Sequence, residues 1–143
     1  MQSTQQASRA VKKSRKPNNI ITVPTPLDLD FFKWWCIFLR PFAPLTNREV
    51  DVIAGFLMQR HELSKIISDE SVLDDQLMSN NVRDKVIKEC GITLQHYYVI
   101  ISNLKKHKVI TEDNKINRRL IPNIRVDDDG IFQLLVLFKD PKK

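Results

Sequence analysis

Six basic side chains lie between positions 105 and 119: Lys105, Lys106, Lys108, Lys115, Arg118 and Arg119, against only Glu112 and Asp113. A second group, Lys12, Lys13, Arg15 and Lys16 with nearby Arg9, sits in a stretch that has no acid before Asp28. Cations at this density attract phosphate polymers or acidic protein surfaces without specifying which. Other chemistry finds no matching arrangement. His61, His96 and His107 have no partner at metal-ligand spacing with either cysteine. Cys36 and Cys90 are far apart, each among apolar neighbours, and read as reduced thiols packing like small hydrophobes. Asp127, Asp128 and Asp129 are consecutive, whereas a calcium loop alternates its ligands, so they read as a turn. Gly55, Gly91 and Gly130 are the only glycines, too few and too dispersed for a phosphate-cradling loop. The expectation is binding rather than enzymatic catalysis, with no bound cofactor and no metal.

These side chains need a scaffold, and the chain can build one. Its 143 residues suffice for one domain with a real core, and 42% hydrophobic and 28% charged residues are ordinary for a globular protein. The formal net charge is +6. Residues 1–27 carry five basic groups and no acid, while the rest of the chain holds 18 basic and 17 acidic groups. The excess charge therefore belongs to the tail, and the body is nearly neutral. Residues 1–24 read as a basic flexible tail and residues 25–143 as a single domain. Within the tail, Ile20, Ile21 and Val23 form a small apolar patch that can add a strand or dock on the domain. The apolar run 34–39 is far shorter than the roughly 20 residues of a membrane span. The N-terminus is polar and lacks the apolar stretch of a secretory signal. No membrane partner is expected, and the cytoplasm of a bacterial cell or infected host is the expected compartment.

Local signals divide the domain. Thr25-Pro26-Leu27-Asp28 predicts a helix start, with the helix running to about Arg40 and stopping at Pro41. Phe31, Trp34, Trp35 and Phe38, with Leu29, Phe32, Cys36 and Leu39, make this aromatic helix apolar over more than half its circumference. Such a helix is buried on several sides, within its own domain or against a second chain. Thr46-Asn47-Arg48-Glu49 is a capping box with Leu45 and Val50 as a staple. Val50, Ile53, Ala54 and Leu57 then keep helical spacing to about His61. One or two short helices are expected in the acidic stretch 62–80. Asn80 or Asn81 can cap the next helix, with Val82, Val86, Ile87 and Cys90 buried and Gly91 ending it. Thr93 caps the following one, with Leu94, Tyr97, Ile100, Ile101 and Leu104 inward. Val109-Ile110 and Lys115-Ile116-Asn117 can pair around Glu112-Asp113-Asn114. Apolar runs 120–126 and 131–138 flank Asp127–Gly130, a hairpin signal.

With Arg83 as the first position, residues 83–102 resemble the helix-turn-helix pattern. Apolar Val86 and Cys90 lie in and at the end of one helix, Gly91 at the turn, Ile92 after it, and Tyr97 and Ile100 in the second helix. Ile87 and Tyr97 are bulkier than the pattern usually has. With the basic stretch 105–119 behind it, the region of about 45–138 resembles a winged helix-turn-helix domain. The implied fold is mainly α with a small β-hairpin or wing, preceded by the aromatic helix (25–41) and the basic tail. The resemblance implies groove-facing positions Thr93, Gln95, His96, Val99 and Asn103. Gln and Asn suit adenine edges, although arginine is absent from 93–104.

Two functions follow as expectations. The resemblance implies a small DNA-binding protein, a transcription or replication regulator. In it Thr93, Gln95, His96 and Asn103 face the groove, and Lys105, Lys106, Lys108, Lys115, Arg118 and Arg119 hold phosphates. The tail's Lys12, Lys13, Arg15 and Lys16 add affinity. The alternative is a structural or assembly component of a bacteriophage particle, located in the virion. Its tail and its aromatic Phe31, Trp34, Trp35 and Phe38 would contact other copies or other subunits. Helix-turn-helix folds also serve protein–protein contacts, so fold alone does not decide.

Overall fold

The computed structural model describes residues 20–143. Lys12, Lys13, Arg15 and Lys16 therefore lie outside the described residues. The rest is mainly helical, with five α-helices and one small two-stranded antiparallel hairpin among the described residues. The helices are α1 (Leu29–Phe38), α2 (Asn47–Ser64), α3 (Glu70–Leu77), α4 (Asn80–Cys90) and α5 (Leu94–Lys106). A 3-10 turn at Arg118–Leu120 precedes strands β1 (Ile124–Val126) and β2 (Phe132–Leu134).

Each helix start is set by a side-chain oxygen that accepts from an otherwise unpaired backbone N–H. At α2 the expected capping box is complete: Thr46 Oγ1 accepts from Glu49 N at 3.2 Å, and Glu49 Oε1 accepts from Thr46 N at 3.0 Å. This contact explains why the carboxylate of Glu49 can be buried. Two expected caps are corrected. Asp28, not Thr25, caps α1, its Oδ1 accepting from Asp30 N at 3.0 Å. The Thr25 hydroxyl turns instead to the Pro26 carbonyl. Ser79, not Asn80 or Asn81, caps α4. The acidic stretch forms a single helix, α3, capped by Asp69.

The middle of α2 is the centre of the core. Val52, Ile53, Ala54, Gly55, Phe56 and Leu57 are all buried, and the other four helices pack around this one. A Cβ built on Gly55 would lie 3.3 Å from Val86 Cγ1, so the missing side chain lets α4 come close to α2. Helix α1 contributes Phe31, Phe32, Trp35 and Cys36. The Trp35 indole N–H donates to the Leu120 carbonyl at 2.8 Å, joining α1 to the 3-10 turn. Phe31 meets Phe132 edge to face at 5.1 Å, which seats the hairpin on the same helix. The expectation that all four aromatics offer a contact surface is thus corrected for Phe31 and Trp35, which belong to the chain's own core. Trp34 is 51% exposed, and Phe38 is half-buried beneath it, the rings stacked at 5.5 Å.

In the hairpin, Ile124 pairs with Leu134, Arg125 with Gln133 and Val126 with Phe132. Asp127 Oδ1 accepts from Asp129 N and Ile131 N, and Gly130 supplies the positive φ of the turn. The other expected pairing shrinks to one bridge, Ile110 to Ile116, closed by a tight loop at Thr111–Lys115. With a single bridge the segment 109–117 is a clip rather than a pair of strands.

One charge cluster, buried at Arg60 and Asp74 and open at Arg118 and Glu70, joins α3 to the rest. Asp74 Oδ1 accepts from Arg60 Nη2 of α2 at 3.3 Å, and Asp74 Oδ2 accepts from Arg118 Nη2 at 3.0 Å. Arg118 Nη1 also pairs with Glu70 at 2.6 Å. Removing Asp74 leaves the buried Arg60 guanidinium without its counter-charge, whereas Arg118 keeps Glu70 and water. Asp74→Ala is therefore expected to lower unfolding free energy by about 3 kcal/mol. Urea denaturation followed by circular dichroism measures this, and a loss below about 1 kcal/mol, the range of an exposed pair, would show that the cluster does not act as a buried one.

Candidate nucleic-acid interface

Helices α4 and α5 are separate, joined by the three residues Gly91, Ile92 and Thr93. Gly91 has φ +65°, and the chain reverses through bonds from Ile92 N to Ile87 O and from Gly91 N to Lys88 O. This pair of bonds is a Schellman ending, which favours glycine at the left-handed position. Thr93 then accepts from His96 N at 3.0 Å and starts α5.

Helix α5 buries Tyr97, Ile100 and Leu104 and turns its other side outward. Gln95, His96 and Val99 are exposed as expected, Asn103 is half-buried, and the Thr93 oxygen is already engaged as the cap. Leu94 is exposed rather than inward. The helix-turn-helix pattern leaves Ser102 and Tyr98 off the candidate face, although both are exposed on it. Burial of Tyr97, Ile100 and Leu104 could have located them, since at 3.6 residues per turn positions 95, 98, 99, 102 and 106 lie opposite. The Tyr98 hydroxyl accepts from Arg83 Nη1 at 3.0 Å, fixing an arginine of α4 beside this face. Arg83 also bonds Asp84 and Asn80, and the hydrogen bond to Asp84, then that to Tyr98, raise its pKa further.

The charges sort themselves along the chain. From Cys90 to Thr111 there is no acidic residue. Lys105, Lys106 and Lys108 are exposed at the C-terminal end of α5, where cations also suit the negative end of the helix dipole. Lys108 and Arg119 line the same small cavity of about 180 Å³ with His107 and Asn117. Lys105, Lys106, Lys108, Lys115 and Arg119 form no ion pair among the described residues. Arg118 is set apart from them: its guanidinium is held by Glu70 and Asp74 and lines a different cavity, of about 330 Å³, with Arg60 and His61. Its charge is balanced locally, which weakens its expected part in holding phosphates.

Other titratable groups are tuned by burial. The Cys36 thiol is pushed up to about 12 and the Cys90 thiol up to about 11, so both are protonated at neutral pH and pack as apolar groups. Burial, and then neighbouring Lys65, hold His61 below the usual imidazole range. No group of three or more His, Cys, Asp or Glu side chains gathers at metal-binding distance among the described residues. No described helix is long and apolar enough to cross a membrane. No family model matches this chain, and no curated protein or solved structure is significantly similar to it.

The end of α5 repeats the ending of α4 with one difference. Val109 N bonds Leu104 O and Lys108 N bonds Lys105 O, but the residue at φ +65° is Lys108, not glycine. An L residue there costs about 1 kcal/mol relative to glycine. Asn117 Nδ2 donates to the Lys108 carbonyl at 3.0 Å and holds the turn in place. Lys108→Gly should therefore raise stability by about 1 kcal/mol, read as an upward shift of the urea midpoint. A lower midpoint would mean that the lysine side chain contributes packing that outweighs its backbone strain.

Proposed function

We propose that this protein is a small DNA-binding protein of the winged helix-turn-helix type, acting as a transcription or replication regulator. The observation that carries the reading is the acid-free outer side of α5, ending in Lys105, Lys106 and Lys108, whose charges have no internal partner among the described residues. A helix of this kind can enter the major groove with Gln95, His96 and Ser102 toward base edges while its lysines meet phosphates. Lys115 and Arg119 extend the cationic surface, and Lys12, Lys13, Arg15 and Lys16 add sequence-independent affinity. The hairpin has another part. Its tip carries Asp127, Asp128 and Asp129, which phosphates repel, so contact with DNA rests on α5 and the segment after it.

A second reading draws support from exposed apolar groups. Tyr98 is 50% exposed, and Leu94 and Val99 are similarly open on α5, as are Trp34, Ile37 and Phe42 near α1. Such a surface suits contacts with other protein subunits, as in a structural or assembly component of a bacteriophage particle.

The two readings separate in a mobility-shift titration of the full chain on unrelated duplexes at several salt concentrations. Lys105→Glu combined with Lys106→Glu should weaken binding to every duplex and lower the magnitude of the log–log salt slope by about 2, roughly 0.9 for each phosphate that is no longer neutralised. Absence of salt-sensitive binding by the unaltered chain rules out the DNA reading and leaves the assembly reading.

A further inference from the structure

The hairpin leaves a strand without a partner. Strand β2 ends at Leu134, and Leu135, Val136, Leu137 and Phe138, which follow it outside any strand, take part in no hydrogen bond among the described residues. These side chains are also open to water, Leu137 at 74% and Phe138 at 75%. The neighbouring strand cannot cover them. Extending the observed register would set Asn123 opposite Leu135 and Pro122 opposite Val136, but the ladder ends at Ile124 and Leu134. The chain's other open apolar segment, Ile20 to Val23, is itself exposed and does not lie over this run.

Sheet edges normally carry charge, proline or a covering element that prevents further pairing. Residues 130–138 carry none of these protections: the run has no charged residue and no proline. It therefore presents nothing for an ionic partner to recognise, while an identical strand matches it well. Brought up antiparallel about Val136, a second copy sets Leu135 opposite Leu137, Leu134 opposite Phe138 and Gln133 opposite Lys139. Apolar side chains then meet apolar ones, and the two Lys139 ammonium groups do not face each other. The same arrangement closes on itself with two-fold symmetry, so it gives a dimer and not a filament. It also turns two hairpins, each marginal with two short strands, into one four-stranded sheet.

We propose that this protein forms a symmetric dimer in which the segment Phe132–Asp140 pairs antiparallel with the same segment of a second copy, centred on Val136. The proposal stands apart from the nucleic-acid reading, because it uses none of the residues of α5.

The test is sedimentation equilibrium on the full chain, with charged substitutions placed at exposed positions so that folding is preserved. The unaltered protein should be a dimer at tens of micromolar. Leu135→Lys combined with Leu137→Lys should raise the dissociation constant tenfold or more, because it sets like charges opposite one another across the two-fold, with the circular dichroism spectrum unchanged. Ile20→Lys combined with Ile21→Lys should leave association as it was. In a separate variant, Val136→Cys should form an interchain disulfide under mild oxidation, since directly opposed Cα atoms lie about 4.5–5.5 Å apart, within the span of a disulfide. A monomeric unaltered chain, a dimer indifferent to the lysines at 135 and 137, a dimer abolished by those at 20 and 21, or no cross-link through position 136 would each overturn the proposal.

Discussion

The fold depends on burying one helix from every side. Residues Val52 to Leu57 of α2 form a continuous buried run, so the helix has no face to spare for solvent in its middle turns. A helix buried all round must be enclosed by its neighbours, and here all four other helices do the enclosing. Close approach on one side requires a missing side chain, which Gly55 provides against Val86. The helix thus sets the place of α4, and through the left-handed turn at Gly91 it positions α5 and the exposed cationic end of that helix.

Leu73 and Leu77 pack the acidic helix onto the body, and a polar contact adds to them. Asp74 accepts from Arg60 and Arg118, which come from elements on either side of α3 in the chain. Burying the Asp74 carboxylate with Arg60 costs desolvation energy, but breaking that pair costs more, because the charge left behind is held away from water. The cluster also sorts the charge of the surface. Arg118 is drawn toward the acids of α3, while Arg119, one residue later, shares a cavity with Lys108. Two adjacent arginines thereby serve opposite purposes, one closing the fold and the other extending the exposed basic surface.

What the sequence could disclose was what neighbouring residues decide among themselves. The capping box at Thr46 and Glu49, the stop at Gly91, the cap at Thr93 and the Asp-Gly turn are local hydrogen-bond patterns, and each appears in the structure. Competition between nearby caps was less legible: Thr25 lost to Asp28, and Asn80 to Ser79, because several good acceptors stood within a few residues. Helical spacing marked Val50, Ile53, Ala54 and Leu57 as one face of α2, yet Val52, Gly55 and Phe56 are buried as well. The unbroken apolar run carried that information, but a one-sided periodicity conceals it. For the candidate site, the exposure of Gln95, His96 and the lysines was readable. The engagement of Arg118 was not, since its partner Asp74 is 44 residues away, and the Trp35 bond to Leu120 spans 85. Contacts at such separations follow from the assembled core.

The two ends of the α4–α5 unit show how local strain and surface charge are related. Both helices finish with the same pair of backbone bonds and the same left-handed residue at φ +65°. At Gly91 nothing lies within 4 Å of where a Cβ would stand, so glycine answers a backbone need and not a packing one. At position 108 the same backbone need is met by lysine, with the Asn117 amide bonded to its carbonyl. Strain of this size persists only where surrounding structure over-determines the conformation. Here the surroundings are the α5 ending, the Asn117 clip and the Ile110–Ile116 bridge. The same three restraints hold an exposed ammonium group on a defined turn of chain rather than on a fraying helix end. A cation held in this way loses less conformational entropy when it meets a phosphate or carboxylate than one on a free terminus would.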